Sequence, residues 1–267
     1  MVTQLEKPTS LPVSVRFPNR LLQRVGVFYV VLALLFVVLS QFDARQVLGL
    51  NVWIKPLKFA LATAIYVFTI DWLLRLSDIK PGLKRTVAWL TTVAMVVEIA
   101  VIAGQSARGQ ASHFNESSLL NGILFSVMGL FITANTGLVA YLLFRFFRQR
   151  TIAGYPISLL WSIRWGITIF VLGCLEGGLM VQNRAHTVGA ADGGAGLPLL
   201  NWSTTAGDLR IAHFMGLHAL QVLPLVTWAL IRANRAPSVR QVSLMAAVYL
   251  LLNVGLLVLA LMGKPLF

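Results

Sequence analysis

The chain has 267 residues, of which 57% are hydrophobic and only 12% charged, and its mean hydropathy is +0.78. A soluble domain carries about 25% charged residues, so lipid is the expected solvent and a soluble catalytic domain is excluded. The net charge of +13 does not point to nucleic acid, because the Lys and Arg residues sit in short clusters between apolar runs, as in helical membrane topology.

A polar, basic arm over residues 1–24 comes first and is expected in the cytoplasm; residues 25–267 read as one membrane domain. Apolar runs follow at 25–42, 54–76, 86–107, 119–144, 156–182, 208–231 and 241–262. Each is long enough to cross a bilayer as a helix, and helix is the conformation that satisfies the backbone there. The runs are continuous and do not alternate, which excludes a barrel. The expected fold is therefore all-α, a polytopic integral membrane bundle of seven transmembrane helices. The first run ends in Ser40-Gln41-Phe42-Asp43, without the small residues of a cleavage site, so it reads as a retained helix and not a signal peptide.

Fourteen basic residues cluster on one side of the runs: Lys7, Arg16, Arg20, Arg24, Arg75, Lys80, Lys84, Arg85, Arg145, Arg148, Arg150, Arg232, Arg235 and Arg240. The other side holds seven, namely Arg45, Lys55, Lys58, Arg108, Arg184, Arg210 and Lys264. The positive-inside rule then predicts an N-in/C-out protein, multi-pass in the plasma membrane, here the bacterial inner membrane.

Polar residues inside the runs carry the functional expectations. Lys55-Pro56-Leu57-Lys58 opens the second run; Lys55 reads as snorkelling, Lys58 as the partner of a buried carboxylate or an anionic head group. Asp71 reads as a local ion pair. Glu98 falls near the middle of the third run, where an ionised carboxylate costs about 2.5–3.5 kcal/mol. Gln105, seven residues on, shares its face. The fourth run holds Thr133 and Asn135, the seventh Asn253. In the fifth, Glu176 lies within Gly173-Cys174-Leu175-Glu176-Gly177-Gly178, and the spacing of Gly173 and Gly177 predicts a close helix contact. Cys174 is the single cysteine, so no intrachain disulfide forms. The sixth run carries Asp208, Arg210, His213, His218 and Gln221. His213 and His218 lie roughly 140° apart around a regular helix, whereas two ligands of one metal sit at spacing four. The segment 183–207 is a long polar loop with His186 and Asp192, and such loops are functional more often than idle. Its Asp192-Gly-Gly-Ala-Gly stretch lacks the Lys-Ser/Thr of a phosphate-binding loop.

All four histidines, His113, His186, His213 and His218, map to the non-cytoplasmic half. This one-sidedness predicts a membrane-embedded enzyme or redox protein with an outward-facing polar site, acting on a lipophilic substrate in the bilayer. Glu98, Glu176, His213 and His218 are the expected catalytic groups. The four histidines are the expected ligands if a metal is used; imidazole and carboxylate suit zinc or iron, with haem as a further option. Lys58, Gln105, Asn135, Asp208, Arg210 and Gln221 are the expected substrate contacts. A proton-coupled small-solute transporter using Glu98 and Glu176 is the alternative, and a receptor or assembly subunit docking through its outer loops a third. Against all three stands a structural role, in which the histidines and protonated glutamic acids bond between helices.

Span count and histidine inventory resemble the zinc membrane hydrolases that include alkaline ceramidases and adiponectin-type receptors. There the paired histidines are spaced by four near the final helix; here they are spaced by five, in the sixth run. Retinal proteins need a lysine in the last helix, and 241–262 contains none.

Overall fold

All seven apolar runs are helices in the computed structural model, which describes residues 19–267; the expected arm over 1–24 lies mostly outside these residues. They are α1 (Arg20–Phe42), α2 (Ile54–Leu76), α3 (Pro81–Ala107), α4 (Leu119–Arg148), α5 (Ile157–Asn183), α6 (Leu209–Arg232) and α7 (Val239–Leu261). Each is long and apolar enough to cross a membrane. The shortest, at 23 residues, spans ~34 Å at 1.5 Å per residue, against about 30 Å of hydrocarbon. Large apolar side chains such as Leu34, Leu130 and Leu251 are exposed on the outside of the bundle. The architecture fits a multi-pass membrane protein.

Hydropathy marks where a run is apolar, and the helices run on past those limits. Pro81 opens α3 in its first turn, where its missing N–H costs nothing. At the far end, α4 continues through Arg145 and Arg148, whose charged ends reach solvent from apolar stems. Ser118 and Ser238 cap α4 and α7, the latter in a reciprocal capping box with Gln241.

The two ends of the bundle differ. One, called here the basic end, carries the short connections and most of the described Lys and Arg. The other, the hairpin end, carries a two-stranded hairpin, β1 (Gln46–Val47) with β2 (Leu50–Asn51), and a second antiparallel pair, β3 (Thr187–Val188) with β4 (Gly207–Asp208). The loop between β3 and β4 folds back over this end. Asn201 Nδ2 donates to Leu48 O at 3.1 Å, and Lys58 Nζ donates to Leu200 O at 3.1 Å.

Packing inside the bundle follows its glycines. A Cβ on Gly173 would lie 2.7 Å from the Gly216 backbone, and one on Gly216 2.6 Å from Gly173 Cα. The small-residue spacing therefore does bring α5 and α6 into backbone contact. A Cβ on Gly166, two turns earlier, would meet Ala219 O at 2.8 Å, beside Pro224 of α6. Across the bundle, Gly26 of α1 lies under the Phe68 ring of α2. Tyr66 of α2 stacks on Phe170 of α5, 6.0 Å between centroids, and takes a 2.7 Å hydrogen bond from Asn135 Nδ2 of α4.

At the basic end Arg164, buried on α5, closes α4. Its Nε donates to Phe146 O at 3.1 Å and its NH2 group to Gln149 O at 2.8 Å, with the guanidinium 4.6 Å from the Trp161 ring centre. A cation at a helix C-terminus satisfies orphan carbonyls and opposes the helix dipole. Gln149 passes the connection on, donating to Leu76 O at the end of α2.

Replacing Gly173 with Val forces backbone apart and should cost about 1–3 kcal/mol, whereas Gly137→Val, with nothing within 4 Å of its added Cβ, should be near neutral. Thermal unfolding of both variants in detergent checks this; equal losses would contradict the α5–α6 contact.

Candidate functional site

Titratable side chains gather at the hairpin end, where the connection between α3 and α4 meets the loop between β3 and β4. His113 sits in the first of these. Its Nδ1 lies 3.2 Å from Lys55 Nζ and 3.0 Å from Ser112 Oγ. While Lys55 is protonated it can only donate, and in that state Nδ1 accepts and the ring proton sits on Nε2. Burial pushes the His113 pKa well down from 6.5, and the charges of Lys55, His186 and His213 add to the shift. Those causes also place the four groups within electrostatic reach of one another. Lys55, expected merely to snorkel, turns inward and acts as the hub.

His186 is held more firmly. Its Nδ1 is 2.5 Å from Asp192 Oδ2, and its backbone N–H donates to the same carboxylate at 3.0 Å. Thr187 adds its N–H at 3.0 Å and its hydroxyl at 2.8 Å. Burial alone would raise the Asp192 carboxyl; the ring and backbone N–H of His186 and the Thr187 hydroxyl outweigh it and hold the acid well below the usual carboxylate range. Burial lowers His186 in turn, and Lys55 and Arg210 push it the same way against the pull of Asp192. Both directions fit one state at neutral pH: Asp192 ionised, His186 neutral, Nδ1–H directed at the carboxylate and the Nε2 lone pair free.

Three phenylalanines wall this cluster. Phe114 meets the His186 ring edge-on at 5.0 Å and Phe125 at 5.4 Å, while Phe59 lies 5.7 Å from the His113 ring. Phe114 adopts a left-handed backbone, φ 54°, which costs a non-glycine residue about 1–2 kcal/mol. Such strain persists only where the surroundings enforce it.

His213 joins from α6. Its Nδ1 is 2.7 Å from Gly173 O, so this nitrogen carries the proton and donates. The ring rests over Gly177, whose absent Cβ would lie 3.1 Å from His213 Cε1. His218 points elsewhere: its Nδ1 bonds Phe214 O one turn back at 2.8 Å, and its ring lies against Phe214. The five-residue spacing thus separates the two rings, as helix geometry requires. Among the described residues no three His, Cys, Asp or Glu side chains are grouped to hold a metal ion. His113, His186, His213 and His218 are therefore not assembled as one ligand set.

The two intramembrane glutamates occupy different parts of the bundle. Glu98 is buried on α3 within electrostatic range of Lys55 and of Tyr29 on α1. Glu98 Oε2 and Tyr29 Oη are both buried without a hydrogen-bond partner. Glu176 lies among α5, α6 and α7, taking a 3.1 Å bond from Asn253 Nδ2, which also donates to Ala212 O at 2.9 Å. Its second oxygen is unpartnered too.

The expected substrate contacts scatter. Gln105 is buried and donates to Asn121 Oδ1 at 3.0 Å, while Arg108 donates to Gln105 Oε1 at 2.6 Å; these bonds close the start of α4 against the end of α3. Asp208 caps α6, receiving Ser203 N–H at 2.7 Å and the Arg210 guanidinium, and Arg210 also donates to Asn201 O. Asp208 and Arg210 fasten the covering loop. Lys58 meets a carbonyl and not a carboxylate, Asn135 bonds Tyr66, and Gln221 donates to Thr69 Oγ1 at 3.3 Å. Tyr29 and the three phenylalanines are the groups that residue-by-residue reading left out, while Lys55 and Asp192 were noticed without being given a role in the site. Of the groups left out, only Phe114, next to His113, offered a local signal.

No protein-family model matches this chain, and neither curated proteins nor solved structures give a significant match.

The depressed His113 and His186 values have a consequence for stability. Well above pH 6.5 both rings are neutral folded or unfolded, and contribute no slope. Below it the unfolded chain takes up protons that the fold refuses, so stability falls as pH drops from 6.5 toward the lowered folded values. Unfolding followed at pH 7.5, 6.5 and 5.5 should show this loss, and His113→Gln should flatten it; an unchanged slope would place the His113 proton uptake elsewhere.

Proposed function

We propose that the chain is an integral membrane enzyme, N-in/C-out in a bacterial inner membrane, whose hairpin end forms a non-cytoplasmic acid–base site for a lipophilic substrate. The single observation that carries this reading is the His186–Asp192 pair at 2.5 Å beside the Lys55–His113 pair. A carboxylate that fixes the imidazole tautomer leaves the opposite nitrogen to accept a proton, the arrangement expected of a general base oriented by a third group. Lys55 supplies a positive charge for a developing anion, and Phe59, Phe114 and Phe125 offer apolar and aromatic surface to a hydrophobic substrate. In this reading His213 tunes the cluster from α6, and Glu98 serves through Lys55.

Orientation follows from the basic end, which the charge rule assigns to the cytoplasm. With Cys174→Ala as background, Ala190→Cys should react with an impermeant maleimide added outside whole cells and Arg150→Cys should not. The reverse pattern would turn the site to the cytoplasm.

The enzymatic reading is tested by incubating the purified protein in nanodiscs with extracted membrane lipids and following products by mass spectrometry. Conversion by the wild type should fall by roughly 10²–10⁴-fold in His186→Gln, the contribution of a positioned base. Asp192→Asn should also reduce it. Conversion that survives in both variants would remove His186 as the base.

A proton-coupled carrier is the second reading, favoured by the unpartnered Glu98 Oε2 and Tyr29 Oη inside the bundle. Between Glu98 and the basic end the buried α3 side chains offer only the hydroxyls of Thr91 and Thr92 beside Met95, and no titratable group, which ranks carriage below catalysis. Proton flux into liposomes that is lost in Glu98→Gln, without lipid conversion, would reverse the ranking.

A further inference from the structure

The basic end holds a second charged feature that the hairpin-end cluster does not use. A cleft of about 610 Å³ opens between the ends of α1, α2 and α3, lined by Arg20, Arg75, Lys84 and Arg85 around Asp71, with Trp89 at its edge. Four cations face one carboxylate. Asp71 is fully buried and already engaged, accepting Asn19 N–H at 2.7 Å and the Gln23 side-chain amide, with the Arg75 guanidinium at 3.4 Å. It pins the start of α1 to α2 and leaves little charge to neutralise the cleft. Arg75 Nε is buried with no hydrogen-bond partner. Lys84 spends one of its three donors, on Ser77 O at 2.9 Å, and Arg20 and Arg85 form no ion pair among the described residues.

Apolar surface adjoins this charge on the lipid side. Leu21, Leu74 and Ala88 line the cleft with the cations, and Trp89 is 55% exposed at its edge. Beyond Trp89 the outer face of α3 continues with exposed Leu90, Val93 and Val96. A buried guanidinium nitrogen without a partner costs desolvation that an anion would recover. A soluble phosphate would use the cations and waste the apolar flank; a phospholipid uses both.

We propose that this cleft binds the phosphate head group of an anionic phospholipid, with an acyl chain lying along the exposed face of α3. The proposal rests on the chain lying in a bilayer, and neither on the enzymatic reading nor on which way up it inserts. Arg20 and Arg85 meet the phosphate from the rim, Arg75 and Lys84 from within, and Trp89 sits at the head-group level where indoles concentrate.

The test is native mass spectrometry of delipidated full-length protein in detergent, titrated separately with phosphatidylglycerol, phosphatidylcholine and inorganic phosphate. Phosphatidylglycerol should bind at least tenfold more tightly than phosphatidylcholine. Arg20→Gln with Arg85→Gln should weaken it by about 30-fold, the loss of two surface cations near an anionic lipid. Both positions are exposed, so the variant should keep its helicity. Arg235→Gln with Arg240→Gln, equally exposed at the same end, should retain the affinity. Equal binding of the two lipids, equal losses in the two double variants, or phosphate binding as tightly as phosphatidylglycerol would each overturn the proposal. Failure here leaves the His186–Asp192 reading untouched, because its readout is lipid conversion.

Discussion

The contact between Gly173 of α5 and Gly216 of α6 is the constraint from which much of the hairpin end follows. Two backbones can meet only where neither carries a side chain, and a Cβ on either glycine would enter the other's main chain. That approach lets the Gly173 carbonyl receive the Nδ1 proton of His213. One turn on, Gly177 leaves room for the same ring. The Cβ that Gly216 lacks would also meet Asn253 Oδ1 at 3.3 Å, and Asn253 holds Glu176. Three helices and three polar groups are thus organised by the absence of three side chains.

Polar groups inside the bundle fall into two kinds. Asp71, Gln105, Asn135, Arg164 and Asp208 are buried and bonded; their work is to close helix ends or join helices, and a partner within reach makes their burial tolerable. Glu98, Tyr29 and Glu176 each keep a buried polar atom without a partner, and so does Asn135 through its Oδ1; Glu98 and Glu176 differ in being acids. An unsatisfied buried group costs about 1–3 kcal/mol, a cost that packing has no reason to retain.

The bundle also divides its charge by end. Four cations at the basic end line a cleft whose one carboxylate is already engaged, while two at the hairpin end, Lys55 and Arg210, are drawn into a network with imidazoles and carboxylates. The first pattern leaves positive charge uncompensated, and the second disfavours protonation of His113 and His186.

Seven helices, their approximate limits, the glycine contact of α5 and the divergence of His213 and His218 were all legible in the chain, because each depends on local periodicity or on the cost of leaving backbone unpaired in lipid. Which polar residues meet was not legible. Glu98 and Glu176 look equivalent as intramembrane acids, yet one lies near Lys55 and Tyr29 and the other under Asn253. Lys55 looks like a snorkelling residue until the α3–α4 connection brings His113 to 3.2 Å from its ammonium. Asp208 and Arg210 look like free polar groups until the covering loop is seen to take up their hydrogen bonds. Such partnerships join residues tens of positions apart in the chain, and they are set by how helices rotate and loops fold back; hydropathy and spacing along one helix carry no record of either.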